Sequence, residues 1–265
     1  MPSYANMATV GGGMPLDLTG DYALGYASEE TVQRADYGAR VITNDGRVFK
    51  YCKAKAAVKS GFGAANDAPQ NISDATVTAA VGDLEVGVTI AAGDGAAADG
   101  AIAENELRGG YFVAGHGATA AVQNRMIEKN TLVAAGGAEC TLTLDFPIAD
   151  ALAAAFCELV LNPYRYLSNG ALEYNAFMCV PAVNADAAEN FWGQTWGPCW
   201  VVPGGGDNTP GDSVDDRMVY FVGDGSVNGG TAIDEERGHQ VAGFIIDETG
   251  IGTGALPLVM LQISI

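Results

Sequence analysis

Short runs of apolar and β-branched residues recur along most of this chain, some of them alternating with polar residues, and they are separated by glycine, asparagine, aspartate and proline. A period of two is typical of half-buried β-strands, and clusters of those four residue types favour turns. The alternation is clearest in residues 141–144 and returns from Phe177 to the C-terminus. No strand–helix–strand alternation is present, which excludes a doubly wound parallel sheet. The pattern predicts a mainly β protein built from small β-barrel or sandwich modules.

Residues 38–52 predict a β-hairpin, because two β-branched and aromatic runs flank the turn sequence Asn44-Asp45-Gly46. Residues 75–81 and 84–90 predict two more strands within a region rich in Ala, Gly, Thr and Val. The chain contains 36 glycines, and small residues at this density bury less apolar area per residue than a leucine-rich core. We therefore expect partner chains to supply part of its stability.

One segment does not have the sequence pattern of a β-strand. Between Pro147 and Leu161, apolar residues recur at roughly helical spacing, which predicts an amphipathic helix at the start of the segment and a strand at its end. Residues 121–129 fit either a helix or a strand. We therefore expect at most one or two short helices in the whole chain.

The pattern divides the chain into three parts. Residues 1–35 lack a period and predict an extended N-terminal arm, with a poorly ordered tail as the alternative. Residues 36–170 predict a β-rich domain with long loops, and residues 171–265 predict a C-terminal β-barrel or sandwich module. The apolar arm residues that we expect to contact a partner are Tyr4, Leu16, Leu18 and Tyr22.

Charge narrows the choice of partner. The 265 residues include 32 acidic and 13 basic side chains, for a net charge of −19. Phosphate binding needs clustered Lys and Arg, and the densest basic stretch is only Arg47 to Lys59, so we expect no direct contact with nucleic acid. No run of about 18 apolar residues occurs, so we expect no membrane span.

The five cysteines are odd in number, widely spaced and without a CxxC pair. This pattern argues against both a disulfide framework and a zinc cluster, and it predicts small buried apolar side chains. The N-terminus has neither a basic nor an apolar leader region, so we expect no signal peptide and first folding in a reducing cytoplasm.

Motifs for catalysis are weak. His116 and His239 lie in Gly-flanked or charged segments that resemble surface turns, and no GxSxG, HExxH or Walker-type loop is present. Acidic residues are concentrated in one stretch. Their carboxylates could bind a hard cation such as Ca²⁺ or act as a catalytic pair in glycoside hydrolysis. A simpler explanation is that they favour turns and form a solvated acidic rim. These residues are Asp212, Asp215, Asp216, Asp224, Asp234, Glu235 and Glu236. We predict no enzyme activity, no cofactor and no metal.

Aromatic residues crowd a single predicted strand, at Phe191, Trp192, Trp196 and Trp200. Even spacing on a strand places the three tryptophans on one face, which would suit a sugar-stacking platform. We favour the alternative that these aromatic residues form part of the core or of a subunit contact, where aromatic side chains contribute much of the packing or binding energy. We also predict that residues 191–202 form a hairpin bent at Gly197-Pro198, and such a bend would switch the faces and weaken the platform hypothesis.

Several blocks resemble tailed-phage capsid decoration, or cement, proteins. They are GARVITNDGRVFKYC at 38–52, Asn162-Pro163-Tyr164, FWGQTWGP at 191–198, and Val241-Ala242-Gly243 before a final hairpin. Residues 60–139 match nothing in that family. The resemblance implies a virion protein without catalytic residues. It would bind the outside of an icosahedral head as a homotrimer and bridge subunits of the major capsid protein. A carbohydrate- or receptor-binding virion module that uses the aromatic face is the alternative, and a glycan-cleaving enzyme is a third hypothesis.

Overall fold

A computed structural model describes residues 31–66, 72–95, 99–116, 122–170, 175–204, 210, 217–229, 240–247 and 257–264. Within these ranges the chain forms sixteen strands and no helix. The strands are β1 Arg40–Ile42, β2 Val48–Lys53, β3 Ala64–Asn66, β4 Ile72–Ala79, β5 Glu85–Thr89, β6 Tyr111–His116, β7 Gln123–Asn130, β8 Glu139–Leu144, β9 Leu152–Val160, β10 Leu167–Asn169, β11 Phe177–Pro181, β12 Asn190–Trp200, β13 Met218–Phe221, β14 Val227–Gly229, β15 Val241–Asp247 and β16 Leu258–Gln262.

The chain folds into two compact units, with a division after residue 67 and another after residue 163. The barrel unit contains β4 to β9. The sheet unit contains β1 to β3 and β10 to β16, so that it is built from the two sequence segments on either side of the barrel unit.

The barrel unit is a closed six-stranded antiparallel barrel with the strand order β4-β5-β8-β7-β6-β9. Buried side chains lie opposite one another on neighbouring strands. Val86 pairs with Leu142, for example, and Phe112 pairs with Leu159. The interior of so small a barrel is filled by these side chains. Because the barrel closes, every one of its strands has a partner on both edges.

The sheet unit is a curled ten-stranded sheet in which β12 is the central strand. Along its eleven residues, β12 pairs with β2, β11 and β16, and the path continues from β16 through β15 and β13 to β14. On the other side, β11 leads through β3 to β10.

Three buried clusters hold the sheet unit together. Phe177 and Phe221 stack in the largest, with ring centroids 4.6 Å apart. Phe191 and Leu167 belong to the second, and Trp192 packs on Tyr51 in the third. The predicted hairpin at 38–52 is present as β1 and β2, joined through Gly46 at a φ of 83°.

The predicted fold class is confirmed, since the structure is all-β and contains a barrel. The helix expected at the start of 147–161 is wrong, as is the helical alternative for 121–129. Residues of β9 alternate between buried and exposed from Ala155 onward, and Phe156, which the helical pattern placed in the core, is 50% exposed. No described segment forms a helix long and apolar enough to cross a membrane.

The expected boundary between 36–170 and 171–265 differs from the division in the structure. All six residues of β2 pair with β12, from Lys53 opposite Asn190 to Val48 opposite Trp196. This long-range pairing joins the N-terminal hairpin to the C-terminal strands, and only the stretch between them forms the barrel.

Candidate interaction surface

The three tryptophans lie on one continuous strand, so the predicted hairpin at Gly197-Pro198 is absent. The strand instead contains a β-bulge between Gln194 and Trp196 where it pairs with β2. Trp192 lies opposite Tyr51, whereas Trp196 lies opposite Val48, which is on the other face of β2. The bulge therefore turns Trp192 to one face of the sheet and Trp196 and Trp200 to the other.

Burial follows from this change of face. Trp192 is only 4% exposed and packs edge-on against Tyr51, with ring centroids 5.1 Å apart. Phe191 is fully buried, Trp196 is half-buried, and Trp200 is 53% exposed. A shared platform of three tryptophans does not form.

Gln194 fixes the bulge. The carbonyl oxygens of Trp196, Gly197 and Pro198 lie 2.9 to 3.1 Å from its buried side-chain Nε2, whose two N–H groups are shared among them. Thr195 donates its hydroxyl to the carbonyl of Ser264 at 2.7 Å and anchors the end of β16. Gly197 has a φ of 93°, which favours glycine. The FWGQTWGP block thus has a structural role, which is to re-aim the aromatic side chains of β12.

Gly193 is required by close packing on the buried face. A Cβ at this position would lie 2.6 Å from the Cβ of Cys179, closer still to its Sγ, and 3.5 Å from the Sγ of Cys52. The two thiols are 3.7 Å apart over the glycine. All five cysteines are free and buried, as the sequence predicted, and burial raises the pKa of Cys157 and of Cys199 to about 12.

On the outer face of the sheet, four apolar residues form a row across four adjacent strands. Pro198 of β12 lies opposite Met260 of β16, Met260 opposite Phe244 of β15, and Phe244 opposite Met218 of β13. We call these four residues the apolar row. Phe244 is 42% and Met218 49% exposed, and Pro198 is exposed as well.

A second line of residues extends this face. Trp200 lies opposite Leu258, and Leu258 lies opposite the exposed carboxylate of Asp247. Isolated exposed apolar side chains are common on protein surfaces, but contiguous ones mark sites of interaction. The apolar row and this second line therefore form one contiguous exposed face on the described strands of the sheet unit.

The barrel unit has a shorter apolar line among its described strands. Val160 of β9 lies opposite Tyr111 of β6, and Tyr111 lies opposite Met126 of β7. Leu132 and Phe146 are exposed outside the strands. These side chains serve as references for the apolar row in the experiments below.

Several predicted residues fall outside the described ranges. These are the arm residues Tyr4, Leu16, Leu18 and Tyr22, His239, and the acidic residues Asp212, Asp215, Asp216, Asp234, Glu235 and Glu236. Asp224 is described, and its Oδ1 accepts hydrogen bonds from the backbone and hydroxyl of Ser226 in a turn. Within the described ranges, no three His, Cys, Asp or Glu side chains come close enough to hold a metal ion.

Sequence reasoning found the aromatic strand but missed the row. Met218, Phe244 and Met260 are far apart in the chain and become neighbours only through strand register. No protein-family model matches the chain, and neither the curated proteins nor the solved structures contain a match.

Proposed function

We propose that this chain is a structural protein of a virion, a capsid decoration protein without enzymatic activity. It binds the outer surface of an icosahedral phage head after synthesis in the host cytoplasm. There it forms a homotrimer and bridges subunits of the major capsid protein, stabilising the shell by many repeated contacts. It requires neither a cofactor nor nucleic acid.

The apolar row carries this proposal. It is an exposed apolar surface on adjacent paired strands, rather than a pocket lined by reactive side chains, which supports a binding role over a catalytic one. Two of the four blocks that resemble decoration proteins belong to strands of this face, since FWGQTWGP forms most of β12 and Val241-Ala242-Gly243 begins β15. A net charge of −19 suits a protein that faces solvent on a particle surface.

Addition of the purified chain to expanded phage heads that lack decoration tests the proposal. We expect stoichiometric co-sedimentation with expanded heads and increased resistance of those heads to heat. Binding only to unexpanded proheads, or to neither particle, contradicts the proposal.

One observation favours a second candidate, a carbohydrate- or receptor-binding virion module. Trp196 and Trp200 share the outer face with Phe244, which leaves aromatic surface available for stacking on a sugar. In that case glycans should change the emission of Trp200, and substitution of Trp200 by phenylalanine should remove most of the change. An emission spectrum that no glycan alters excludes this candidate.

A further inference from the structure

The hairpin of β1 and β2 belongs to the most basic stretch of the described chain. Residues 31–66 contain seven basic and two acidic side chains, although the whole chain has a net charge of −19. One of the two acidic residues, Asp45, is already paired with Arg47, whose Nε lies 2.8 Å from its Oδ2. The excess of positive charge at this hairpin therefore belongs to residues whose positions are described.

Two of these cations lie directly opposite each other. Arg40 of β1 pairs with Lys50 of β2, so both side chains project from the same face of the hairpin. On its other side Lys50 lies opposite Gly193 of β12, which has no side chain, and its Nζ is 5.6 Å from the ring centroid of Tyr164. Both cations are half-buried, and within the described part of the chain neither has a carboxylate partner. We call Arg40 and Lys50 the cationic pair.

The cationic pair is complementary to an anion. Like charges directly opposite each other on adjacent strands destabilise a sheet. Burial lowers the pKa of Lys50, and the charge of Arg40 lowers it further. A bound carboxylate would offset the repulsion and accept charge-assisted hydrogen bonds from both side chains.

The cationic pair also lies beside a strand edge. β1 pairs with β2 alone, so its other edge has no partner strand among the described residues. The backbone N–H of Thr43 donates to the carbonyl of Arg47, which places Thr43 among the residues whose backbone groups face β2. Because this direction alternates along an antiparallel pair, the N–H and C=O groups of Arg40 and Ile42 point away from β2. The edge of β1 therefore presents two backbone donors and two backbone acceptors.

We propose that an extended acidic segment of a partner protein adds to the edge of β1 as an antiparallel strand. Its backbone pairs with that of Arg40 and Ile42, and the carboxylate opposite Arg40 binds the cationic pair. A nucleic acid could neutralise the same charges, but it offers no peptide backbone to the strand edge. This contact is separate from the apolar row and does not depend on the proposed function, so either can fail while the other holds.

A short synthetic peptide in which glutamate alternates with threonine is the probe, and the full chain is its receptor. Fluorescence anisotropy of the labelled peptide should show saturable binding, and a peptide with lysine in place of glutamate should not bind. R40Q/K50Q, which removes the cationic pair, should weaken binding at least about tenfold, because the charge-assisted contacts are lost. The matched control R108Q/K129Q, which removes two exposed cations of the barrel unit, should bind like wild type.

Urea unfolding checks that R40Q/K50Q is folded, and neutralising two opposed like charges should not lower its stability. A wild-type chain that does not bind the acidic peptide overturns the proposal. Equal weakening of binding in R40Q/K50Q and R108Q/K129Q overturns it as well, because binding would then depend on overall charge.

N-methylated peptides test the strand pairing on the unaltered chain, whether or not the variants fold. In an antiparallel pair, the residue opposite Arg40 directs its own N–H toward β1, so the glutamates that meet the cationic pair also donate to the edge. N-methylation of the glutamates should therefore abolish binding, whereas N-methylation of the threonines should preserve most of it. Binding that survives methylation of the glutamates overturns the proposal.

A single-stranded oligonucleotide distinguishes an acidic segment from a polyanion of another kind. At the same salt concentration we expect the oligonucleotide to bind more weakly than the peptide, because it cannot pair with the strand edge. An oligonucleotide that binds as tightly and displaces the peptide would assign this surface to nucleic acid and overturn the proposal.

Discussion

The barrel unit and the sheet unit differ in how their strands are closed and in how their apolar side chains are covered. In the barrel unit, closure pairs every strand on both edges and directs the apolar faces inward. In the sheet unit, the path of strands ends at β10 and β14, and the outer face leaves an apolar row unburied across four strands. The difference teaches that strand closure buries the core of the barrel unit, whereas the open sheet leaves apolar side chains exposed on its outer face.

The largest expected change in stability comes from a comparison of the buried and the exposed face of β12. Trp192→Ala should lower the free energy of unfolding by about 3–5 kcal/mol, because it empties a buried aromatic site. Trp200→Ala, at an exposed site of the same strand, should change stability by less than about 1 kcal/mol. Urea unfolding measures both. Equal losses would mean that the two tryptophans do share one environment.

In the barrel unit, Leu142→Ala should destabilise the protein by about 2–5 kcal/mol, because its side chain is fully buried opposite Val86. The control Leu132→Ala removes a side chain that is 66% exposed and should stay within about 0.5 kcal/mol. Neither variant should alter self-association of the folded protein. Loss of association in folded Leu142→Ala would show that the barrel also forms part of the interface.

At the centre of the sheet, Gly193→Ala should cost about 1–3 kcal/mol by overpacking against Cys179. Cys179→Ala removes the sulfur that the new methyl group would meet, so the double variant should recover part of the loss. A double-mutant cycle by thermal unfolding measures this coupling. Strictly additive effects would mean that Cys179 does not limit the space at Gly193.

The smallest expected effect concerns the loop between β1 and β2. Burial raises the pKa of Asp45, but hydrogen bonds from the Thr43 hydroxyl and the Arg47 backbone, together with the Arg47 charge, outweigh it and hold the pKa below 3.8. The Arg47 guanidinium Nε lies 2.8 Å from Oδ2 of Asp45.

Because the folded-state pKa is the lower one, the stabilisation by Asp45 is present above about pH 5 and is lost as the pH falls below 3.8 through the folded value. Asp45 is largely exposed, so the gain is less than about 1 kcal/mol. Asp45→Asn should therefore be slightly less stable than wild type at neutral pH and equally stable near pH 2. A difference that persists unchanged at low pH would point to a cause other than the carboxylate charge.

Turn residues and local alternation of apolar and polar side chains predicted part of the fold. Asn44-Asp45-Gly46 between two β-branched runs specified the first hairpin, and alternation identified β8. The helix predicted at the start of 147–161 was wrong because its apolar residues, Phe156 among them, recur at helical spacing. In the structure Phe156 faces outward from the barrel. In this Ala-rich segment, pairing with β4 and β6 on both edges determines the structure rather than local propensity.

The candidate surface was only partly predictable for the same physical reason. Spacing alone placed three tryptophans on one face, but a single bulge, fixed by the buried Gln194, reversed two of them. Register across β12, β16, β15 and β13 then created a row from residues as distant in sequence as Pro198 and Met260. Pairing between strands that are far apart in the chain cannot be read from local periodicity.

Co-sedimentation of F244S/M218S and of F146S with expanded phage heads tests the central claim that function lies in the apolar row. Both variants lose exposed aromatic surface, but only the first alters the row. Since we propose that the row makes the contact with a partner, we expect F146S to bind like wild type and F244S/M218S to lose most of its binding. Equal binding by the two variants would contradict the claim.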